Sequence, residues 1–549
     1  MTRLSLVLYT LVSVGGSLAV DCTYDAVLPI MPAGVTLAFA TPVAANGTFI
    51  VPEGDLGWPM NPINLPKLCA IGATVPDESN SNYTFGFGLF LPDTWNGRTL
   101  TVGNGGLAGG VNWQDMGTGV KYGHAVISTD TGHNGSTVDA TSFYQNTGTQ
   151  ENWGWRALHE SVVLGKNITE AYYQTVPSYH YYQGCSTGVL MKKISIKDAA
   201  DVVYRWSTRL QRSTDVPQDF DGVIAGAPAW WTSRQQIWQF WTGYVNYISN
   251  ASEIPFEMFD TIGQEVLRQC DDHHLRPLGC NFDTHPLICT NSTNATSSCL
   301  TSAQLATFDT LTNDFTQTNS TLVFPKWFLG SEPDWYMNID GGSPNIIGLG
   351  YIQYMLGLGP EWDWRNFDDS VVQLSEELNA GQADASDYDL SPFIEGGGKL
   401  IHYHGLADGG IATGASYYLF DQIDRTLTPK GVALSDSYRF FPIPGMGHCT
   451  GTATFVNAPY YIGGISMTNN GQYSVRGYQD AEHDVLLALM DWVENGNAPD
   501  SIIGTAYANY TTEDVVTRQR PICAHPKQAR FNGTGDPNNA ASWTCQMLY

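Results

Sequence analysis

Apolar and polar residues alternate over residues 84–91, which is the pattern of a half-buried strand, and further short apolar runs follow up to about residue 230. Strands are predicted over residues 84–91, 100–102, 125–128 and 178–183, and within residues 219–228. Residues 155–173 instead repeat apolar side chains at helical spacing, on roughly one face. A strand, helix, strand order predicts a mainly parallel sheet that is covered by helices.

This rhythm stops at about residue 231 and resumes near residue 393. The intervening stretch holds four cysteines and several tryptophans, among them Trp238, Trp241, Trp327, Trp335, Trp362 and Trp364. We interpret residues 231–392 as a lid domain inserted into a catalytic domain that comprises residues 20–230 and 393–549. Within the second part we predict strands over 399–403 and 437–441, and helices over 414–425 and 480–494, the last ending at Gly496.

Composition narrows the possible partners. The 549 residues are 14% charged and 12% aromatic, as in a compact globular protein. The net charge of −27 would repel phosphate backbones and anionic lipid surfaces, so we expect neither nucleic acid nor membrane as a partner. Oligomeric state is not indicated by any pattern in the chain.

The amino terminus has the features of a secretory signal. Arg3 supplies a positive charge, residues 4–14 an apolar core, and residues 17–19 a small-residue cleavage site, so residues 1–19 are predicted to be a signal peptide. No later apolar run reaches about 18 residues, so no membrane anchor is expected.

Cysteines and glycosylation motifs agree with export. Ten cysteines, an even number, indicate an oxidised framework in an extracellular protein. Asn-x-Ser/Thr motifs, which mark glycosylation acceptors, occur at Asn46, Asn82, Asn134, Asn167, Asn250, Asn291, Asn294, Asn319, Asn509 and Asn532.

Residues 184–188, Gly-Cys-Ser-Thr-Gly, match the Gly-x-Ser-x-Gly nucleophile elbow. In that motif a strand ends in a sharp turn that holds one serine above the sheet. The aromatic, strand-like residues 178–183 directly upstream fit this context. Ser186 is therefore a candidate nucleophile, and the alternative is a glycine-rich turn with an inert serine.

A second glycine-rich loop, residues 103–110, follows the predicted strand 100–102. Such a loop can turn backbone N–H groups towards an anion. We predict that the N–H of Thr187 and one from residues 105–107, with Gly106 as the candidate, form an oxyanion hole. The alternative is a flexible turn.

The later strands supply the remaining groups of a hydrolytic site. Asp408 follows the strand 399–403, and His448 follows the strand 437–441. The order Ser186, Asp408, His448 is that of α/β hydrolases. A serine hydroxyl needs an imidazole to take its proton as it attacks an acyl carbon. The carboxylate fixes the imidazole tautomer and stabilises the imidazolium.

Two cysteines adjoin these candidates. Cys185 precedes the serine and Cys449 follows the histidine. A disulfide between them would hold two halves of a site together, whereas two unrelated thiols are the alternative.

These motifs together resemble the fungal tannase and feruloyl esterase family. The resemblance rests on the Cys-Ser, Asp and His-Cys arrangement and on residues 105–106, 184–188, 219–228, 404–408 and 533–545. It implies an α/β-hydrolase fold with an inserted lid, and hydrolysis of esters of phenolic acids, either small molecules or polysaccharide-linked. Whether ferulate, p-coumarate or gallate is preferred is left open. The resemblance also implies the disulfides Cys22–Cys69, Cys270–Cys280, Cys289–Cys299 and Cys523–Cys545.

The chain departs from the family at two places. The lid interval between Cys270 and Cys280, where relatives carry a calcium loop, has only two carboxylates, so no metal or other cofactor is expected. After the elbow, residues 189–212 form a basic segment unlike the family's short helix, and an insertion there could disable catalysis. Two alternatives therefore stay open: a catalytically impaired secreted glycoprotein that binds phenolic or glycan ligands, and a secreted serine carboxypeptidase.

Overall fold

The computed structural model describes residues 19–77, 83–188, 219–270, 280–289, 299–465 and 473–547. The predicted signal peptide, the basic segment 189–212 and the interior of the interval 270–280 lie largely or wholly outside these ranges. The glycosylation motifs at Asn82, Asn291 and Asn294 lie outside them as well.

A nine-stranded mixed sheet organises the molecule. Numbered along the chain, its strands lie in the order β1-β2-β3-β5-β4-β6-β7-β10-β11. The first three strands pair antiparallel, and β3 is also antiparallel to β5. From β5 to β11 all neighbours are parallel. These strands are Thr36–Val43 (β1), Leu68–Val75 (β2), Phe85–Pro92 (β3), Arg98–Val102 (β4), Ala125–Thr129 (β5), Tyr179–Cys185 (β6), Gly222–Gly226 (β7), Lys399–Gly405 (β10) and Tyr438–Ile443 (β11).

Six shorter strands form three antiparallel pairs outside this sheet. They are Phe315–Thr316 (β8) with Leu322–Phe324 (β9), Ser501–Tyr507 (β12) with Val516–Cys523 (β13), and Gln528–Phe531 (β14) with Trp543–Gln546 (β15).

Helices cover both faces of the sheet because successive strand residues point to opposite sides. Val223 and Leu400 share one hydrophobic cluster with the helix Gly414–Leu427. Their neighbours Ile224 and Ile401 share another with the helix Val485–Asn495. The described α-helices are Tyr24–Val27 (α1), Trp113–Gly119 (α2), Thr147–Glu151 (α3), Ala157–Tyr173 (α4), Thr232–Tyr247 (α5), Glu257–Cys270 (α6), Ser302–Leu311 (α7), Ile346–Gly350 (α8), Asp369–Leu378 (α9), Ser391–Glu395 (α10), Gly414–Leu427 (α11) and Val485–Asn495 (α12).

Residues 231–392, hereafter the insert, contribute no described strand to the nine-stranded sheet. They enter the chain between β7 and β10. Most of the hydrophobic cluster around them consists of their own residues, and it also includes Phe143, Trp153 and Ile411 from outside the insert. Trp238, Trp327 and Trp335 are at most 1% exposed, and Trp327 lies 4.7 Å from Trp335, ring centre to ring centre. These tryptophans therefore build the insert's core.

The strands predicted within the sheet are confirmed, whereas β1 and β2 were not predicted, and one helix boundary is in error. The last helix begins at Val485 and not at residue 480, because Asp484 is its N-cap. One carboxylate oxygen of Asp484 accepts hydrogen bonds from the N–H groups of Leu486 and Leu487, which satisfies free donors of the first turn. The helix ends at Gly496, as predicted, with φ of 78°.

All ten cysteines are paired, and the pairings are those that the resemblance implies. The disulfides are Cys22–Cys69, Cys185–Cys449, Cys270–Cys280, Cys289–Cys299 and Cys523–Cys545. Within the described ranges, no helix has the length and hydrophobicity needed to cross a bilayer.

Candidate active site

Ser186 lies at the end of β6, in the middle of the sheet. Its φ is 59°, a left-handed conformation that costs a non-glycine residue of order 1–3 kcal/mol unless its surroundings enforce it. The turn is tight, since a β-carbon at Gly188 would come within 2.4 Å of the Asn104 carbonyl oxygen. The geometry is that of a strained strand-to-turn elbow, with the serine side chain half-buried.

The glycine-rich loop 103–110 follows β4, the parallel neighbour of β6, so it reaches the same edge of the sheet as the elbow. The Thr187 hydroxyl donates to the Gly106 carbonyl oxygen at 2.8 Å and ties the two segments together. The Leu107 N–H donates to the Thr137 carbonyl, whereas the N–H groups of Gly105 and Gly106 have no acceptor among the described residues. Within the predicted range 105–107, the N–H groups of Gly105 and Gly106 are therefore available to donate to an anion.

Asp408 follows β10 by three residues and is completely buried. Its Oδ1 accepts the N–H groups of Gly410 and Ile411, both at 2.8 Å. Its Oδ2 lies 2.9 Å from one ring nitrogen each of His404 and His448. Four donors thus hold a buried carboxylate, which is the condition under which it stays charged.

His448 follows β11 by five residues, and its side chain is 14% exposed. Its Nδ1 makes the 2.9 Å contact with Asp408 Oδ2, so this nitrogen carries the proton and Nε2 is left for another partner. The structure, over the ranges given above, shows no hydrogen bond between Nε2 and the Ser186 hydroxyl. Such contacts often shorten only when substrate binds.

The electrostatics of this pair favour an imidazolium next to a carboxylate. Burial by itself lowers the pKa of His448, but the negative charge of Asp408, the hydrogen bond to it and the charge of Asp334 outweigh burial and raise that pKa above 6.5. For Asp408, burial raises the pKa, yet the charge of His448 and the two histidine hydrogen bonds hold it well below its usual range.

A disulfide links the neighbours of the two reactive candidates. Cys185 and Cys449 are bonded, with 6.0 Å between their Cα atoms across a sequence separation of 264 residues. The bond fixes the turn of Ser186 to the loop of His448, as the adjacent cysteines in the sequence suggested.

Behind Asp408 runs a chain of buried hydrogen bonds that the sequence indicated only at its first member. His404 Nε2 contacts the oxygens of Asp408 and Ile411, both acceptors, so it carries the proton and Nδ1 accepts from the Ser416 hydroxyl at 2.6 Å. His402 Nε2 donates to Ser416 at 2.8 Å and His402 Nδ1 accepts from the Tyr438 hydroxyl at 2.6 Å. Burial lowers the pKa of His402 well below its usual value, which keeps it neutral.

The insert also reaches this site, which sequence reasoning missed. The side chain of Asp334 bonds to the backbone of the loops that carry Asp408 and His448. No sequence signal could have identified it, because Asp334 lies in an aromatic-rich stretch without a motif.

No group of three or more histidine, cysteine or acidic residues is arranged to hold a metal ion within the described part of the chain. The interval between Cys270 and Cys280, where the family's calcium loop would lie, falls outside it apart from the two cysteines.

Comparison with known proteins assigns the chain to a family. The family profile described as "Tannase and feruloyl esterase" matches residues 69–322 and 363–546. A probable feruloyl esterase B-1 of Aspergillus oryzae is 30% identical over 97% of this chain and 94% of its own length. A probable feruloyl esterase B of Aspergillus clavatus is 31% identical over 87% of this chain and 86% of its own length.

Solved structures agree. Feruloyl esterase B from Aspergillus oryzae matches with a TM-score of 0.82 and 29% identity, over 96% of this chain and 99% of that one. Tannin acyl hydrolase from Aspergillus niger matches with a TM-score of 0.70 at 21% identity, over 96% of each chain, and so shares the fold. The α/β-hydrolase fold is confirmed, and the chain belongs to the tannase and feruloyl esterase family of carboxylic ester hydrolases.

Proposed function

We propose that this protein is a secreted serine esterase that cleaves esters of phenolic acids through an acyl-enzyme. The observation that carries the proposal is the Cys185–Cys449 disulfide. It joins the residue before Ser186, which has an elbow conformation, to the residue after His448, which contacts the buried carboxylate of Asp408. The relatives named feruloyl esterase supply the class of substrate.

In the proposed reaction the Ser186 hydroxyl attacks the ester carbonyl carbon while His448 Nε2 takes its proton. The tetrahedral oxyanion is stabilised by the N–H groups of Thr187 and Gly106; losing one such donor costs about 10²–10³ in rate. The imidazolium then protonates the leaving alcohol, and an acyl-enzyme forms. Water activated by the same imidazole attacks this ester and releases the phenolic acid and free Ser186.

Asp408 holds the Nδ1–H of His448 in place throughout and stabilises its positive charge. The raised pKa of His448 suits both of its tasks. The imidazole binds the serine proton more strongly, and it can still return that proton to the alcohol.

Export is supported by the same features that the sequence indicated. Five disulfides fit an oxidising compartment. The seven sequon asparagines in the described ranges are all exposed, as glycan attachment requires: Asn46, Asn134, Asn167, Asn250, Asn319, Asn509 and Asn532.

The direct test replaces Ser186 by alanine. We expect Ser186→Ala to lower kcat for methyl ferulate by about 10⁴-fold or more, because no other group supplies the nucleophile. Its melting temperature should change little. The matched control is Ser178→Ala, an exposed serine one residue before the same strand.

Parallel measurements address the alternatives and the choice of acid. Rates on methyl ferulate, methyl p-coumarate and methyl gallate rank the acyl groups, and a blocked dipeptide tests for carboxypeptidase activity. Covalent labelling of Ser186 by a fluorophosphonate shows an activated serine. Ligand binding without such labelling, or activity that survives in Ser186→Ala, would refute the proposal.

A further inference from the structure

One carboxylate of the insert bonds to both loops of the candidate triad. Asp334 lies in a 3-10 turn, Glu332–Met337. Its Oδ2 accepts the backbone N–H of Gly409 at 2.9 Å and the backbone N–H of His448 at 3.1 Å. A single oxygen atom therefore joins the loop that carries Asp408 to the loop that carries His448.

Two other side chains of the insert donate hydrogen bonds to the loop that carries Asp408. Asn338 Nδ2 donates to the carbonyl oxygens of Gly409 and Gly410, at 3.0 and 3.1 Å. Gln239 Nε2 donates to the Gly410 carbonyl at 2.9 Å. Of these three side chains, Asp334 alone also bonds to the loop of His448.

The insert can approach the loop that carries Asp408 because Gly409 has no side chain. A β-carbon at Gly409 would lie 2.1 Å from the Asp334 carbonyl oxygen and 2.2 Å from its carbonyl carbon. Any residue other than glycine would push Asp334 away. The glycine that follows Asp408 is thus explained by the approach of Asp334.

Asp334 also adds negative charge beside the imidazole. Burial, followed by repulsion from Asp408, raises the pKa of Asp334 to about 6. At neutral pH it is therefore an anion, and its charge contributes to the raised pKa of His448. The other titratable groups around this pair are Asp408, His404 on the far side of Asp408, and Tyr336, whose hydroxyl interacts with Asp334.

We propose that Asp334 is a positioning residue of the esterase reaction: it fixes the loops of Asp408 and His448 relative to each other and stabilises the imidazolium. The inference rests on the proposed roles of Ser186, Asp408 and His448. It makes the insert part of the catalytic machinery and not only a cover over it.

The test compares Asp334→Ala, which removes acceptor and charge, with Asp334→Asn, which keeps an oxygen acceptor and removes the charge. We expect Asp334→Ala to lower kcat for methyl ferulate by about 10²-fold with KM within about threefold, because the triad is misplaced. Asp334→Asn should recover most of this loss. In the pH profile of kcat/KM for Asp334→Asn, the acidic limb should move to lower pH by about half a unit or more, since the imidazolium loses an anionic neighbour.

The matched control is Asp340→Ala, an exposed aspartate of the same insert, which should leave kcat and the pH profile unchanged. Melting temperatures check that each variant is folded. If Asp334→Ala does not fold, the acidic limb of Asp334→Asn decides alone.

Two results would overturn the inference: a kcat of Asp334→Ala within twofold of the parent protein, or an acidic limb of Asp334→Asn at the parent's pH. Neither outcome affects the proposed function, which stands or falls with Ser186→Ala. An inactive Ser186→Ala with a fully active Asp334→Ala would remove only the role of Asp334.

Discussion

Hydrogen-bond partners set the charge state and the tautomer of individual side chains at the site. Asp408 is charged, although buried, because two backbone amides and two imidazoles donate to it. His404 donates to Asp408 through Nε2 because the Ser416 hydroxyl donates to its Nδ1. The tautomer next to the triad is therefore set several side chains away, at Tyr438.

This chain of bonds leads to a prediction for His404. His404→Ala removes one charge-assisted donor from Asp408, a bond worth about 1.5–3 kcal/mol, so kcat should fall by about 10- to 100-fold. Steady-state kinetics on methyl ferulate measure the effect. The exposed His285, replaced by alanine, serves as control. An unchanged kcat in His404→Ala would show that the remaining three donors suffice.

Among the elements, the loops at the carboxyl ends of the parallel strands carry the candidate site residues. β4, β6, β10 and β11 each end at the same edge of the sheet, and their loops carry Gly106, Ser186, Asp408 and His448 respectively. Periodicity predicted these strands well, because each is a local apolar run. The start of the last helix was misjudged, since it depends on the capping bonds of one aspartate.

The Cys185–Cys449 disulfide should matter for geometry beyond its effect on stability. Replacing both cysteines by serine should lower kcat together with the melting temperature, because the elbow and the His448 loop lose their covalent link. Replacing Cys22 and Cys69 in the same way should lower the melting temperature alone, since that bond joins the segment before α1 to β2, away from the candidate site. Each removal should cost about 2–5 kcal/mol of stability.

Kinetics and thermal melts on both double variants test this difference. Equal kcat values in the two, relative to the parent protein, would contradict a positional role for the Cys185–Cys449 bond.

For the whole molecule, buried carboxyl groups set the dependence of stability on pH near neutrality. Burial raises the pKa of Asp130, Glu332 and Glu513 to about 7 and that of Asp115 to about 6. Their ordinary values are 3.8 for aspartate and 4.5 for glutamate. Over the interval between these values these four groups bind more protons in the folded chain than in the unfolded chain, so their contribution to the free energy of unfolding falls as pH rises.

Asp408 acts in the opposite direction, but only at lower pH. Its pKa is depressed, so its contribution to stability is lost as pH falls below its ordinary value of 3.8. Below about pH 6.5 the histidines His124, His133, His180 and His402, whose pKa values burial lowers, oppose the carboxyl groups, because the unfolded chain binds more protons at these histidines. We therefore expect the free energy of unfolding to fall as pH rises above about 6.5, where these histidines are neutral in both states. Melting temperatures between about pH 6.5 and 8 measure this trend.

A variant isolates one of these groups. Glu332 is fully buried, and its Oε1 has no hydrogen-bond partner within the described part of the chain. Glu332→Gln should flatten the fall of the melting temperature with pH, because it removes one titrating carboxyl. The exposed Glu361, replaced by glutamine, should leave the slope unchanged. A melting temperature that rises from about pH 6.5 to 8 in the parent protein would contradict the prediction.

The sequence by itself predicted a mainly parallel sheet, a disulfide between the cysteines beside the site, and Ser186, Asp408 and His448 as the site residues, because each is encoded by a local pattern or a family motif. The roles of these residues and the boundaries of the inserted domain remain predictions. The antiparallel strands β1 and β2 were not predicted. Only the tertiary structure decided that the tryptophans of the insert pack into its own core, that a chain of buried bonds fixes His404, and that Asp334 joins two distant loops. Such contacts form between segments far apart along the chain, and the packing that brings them together leaves no periodicity or motif in either segment.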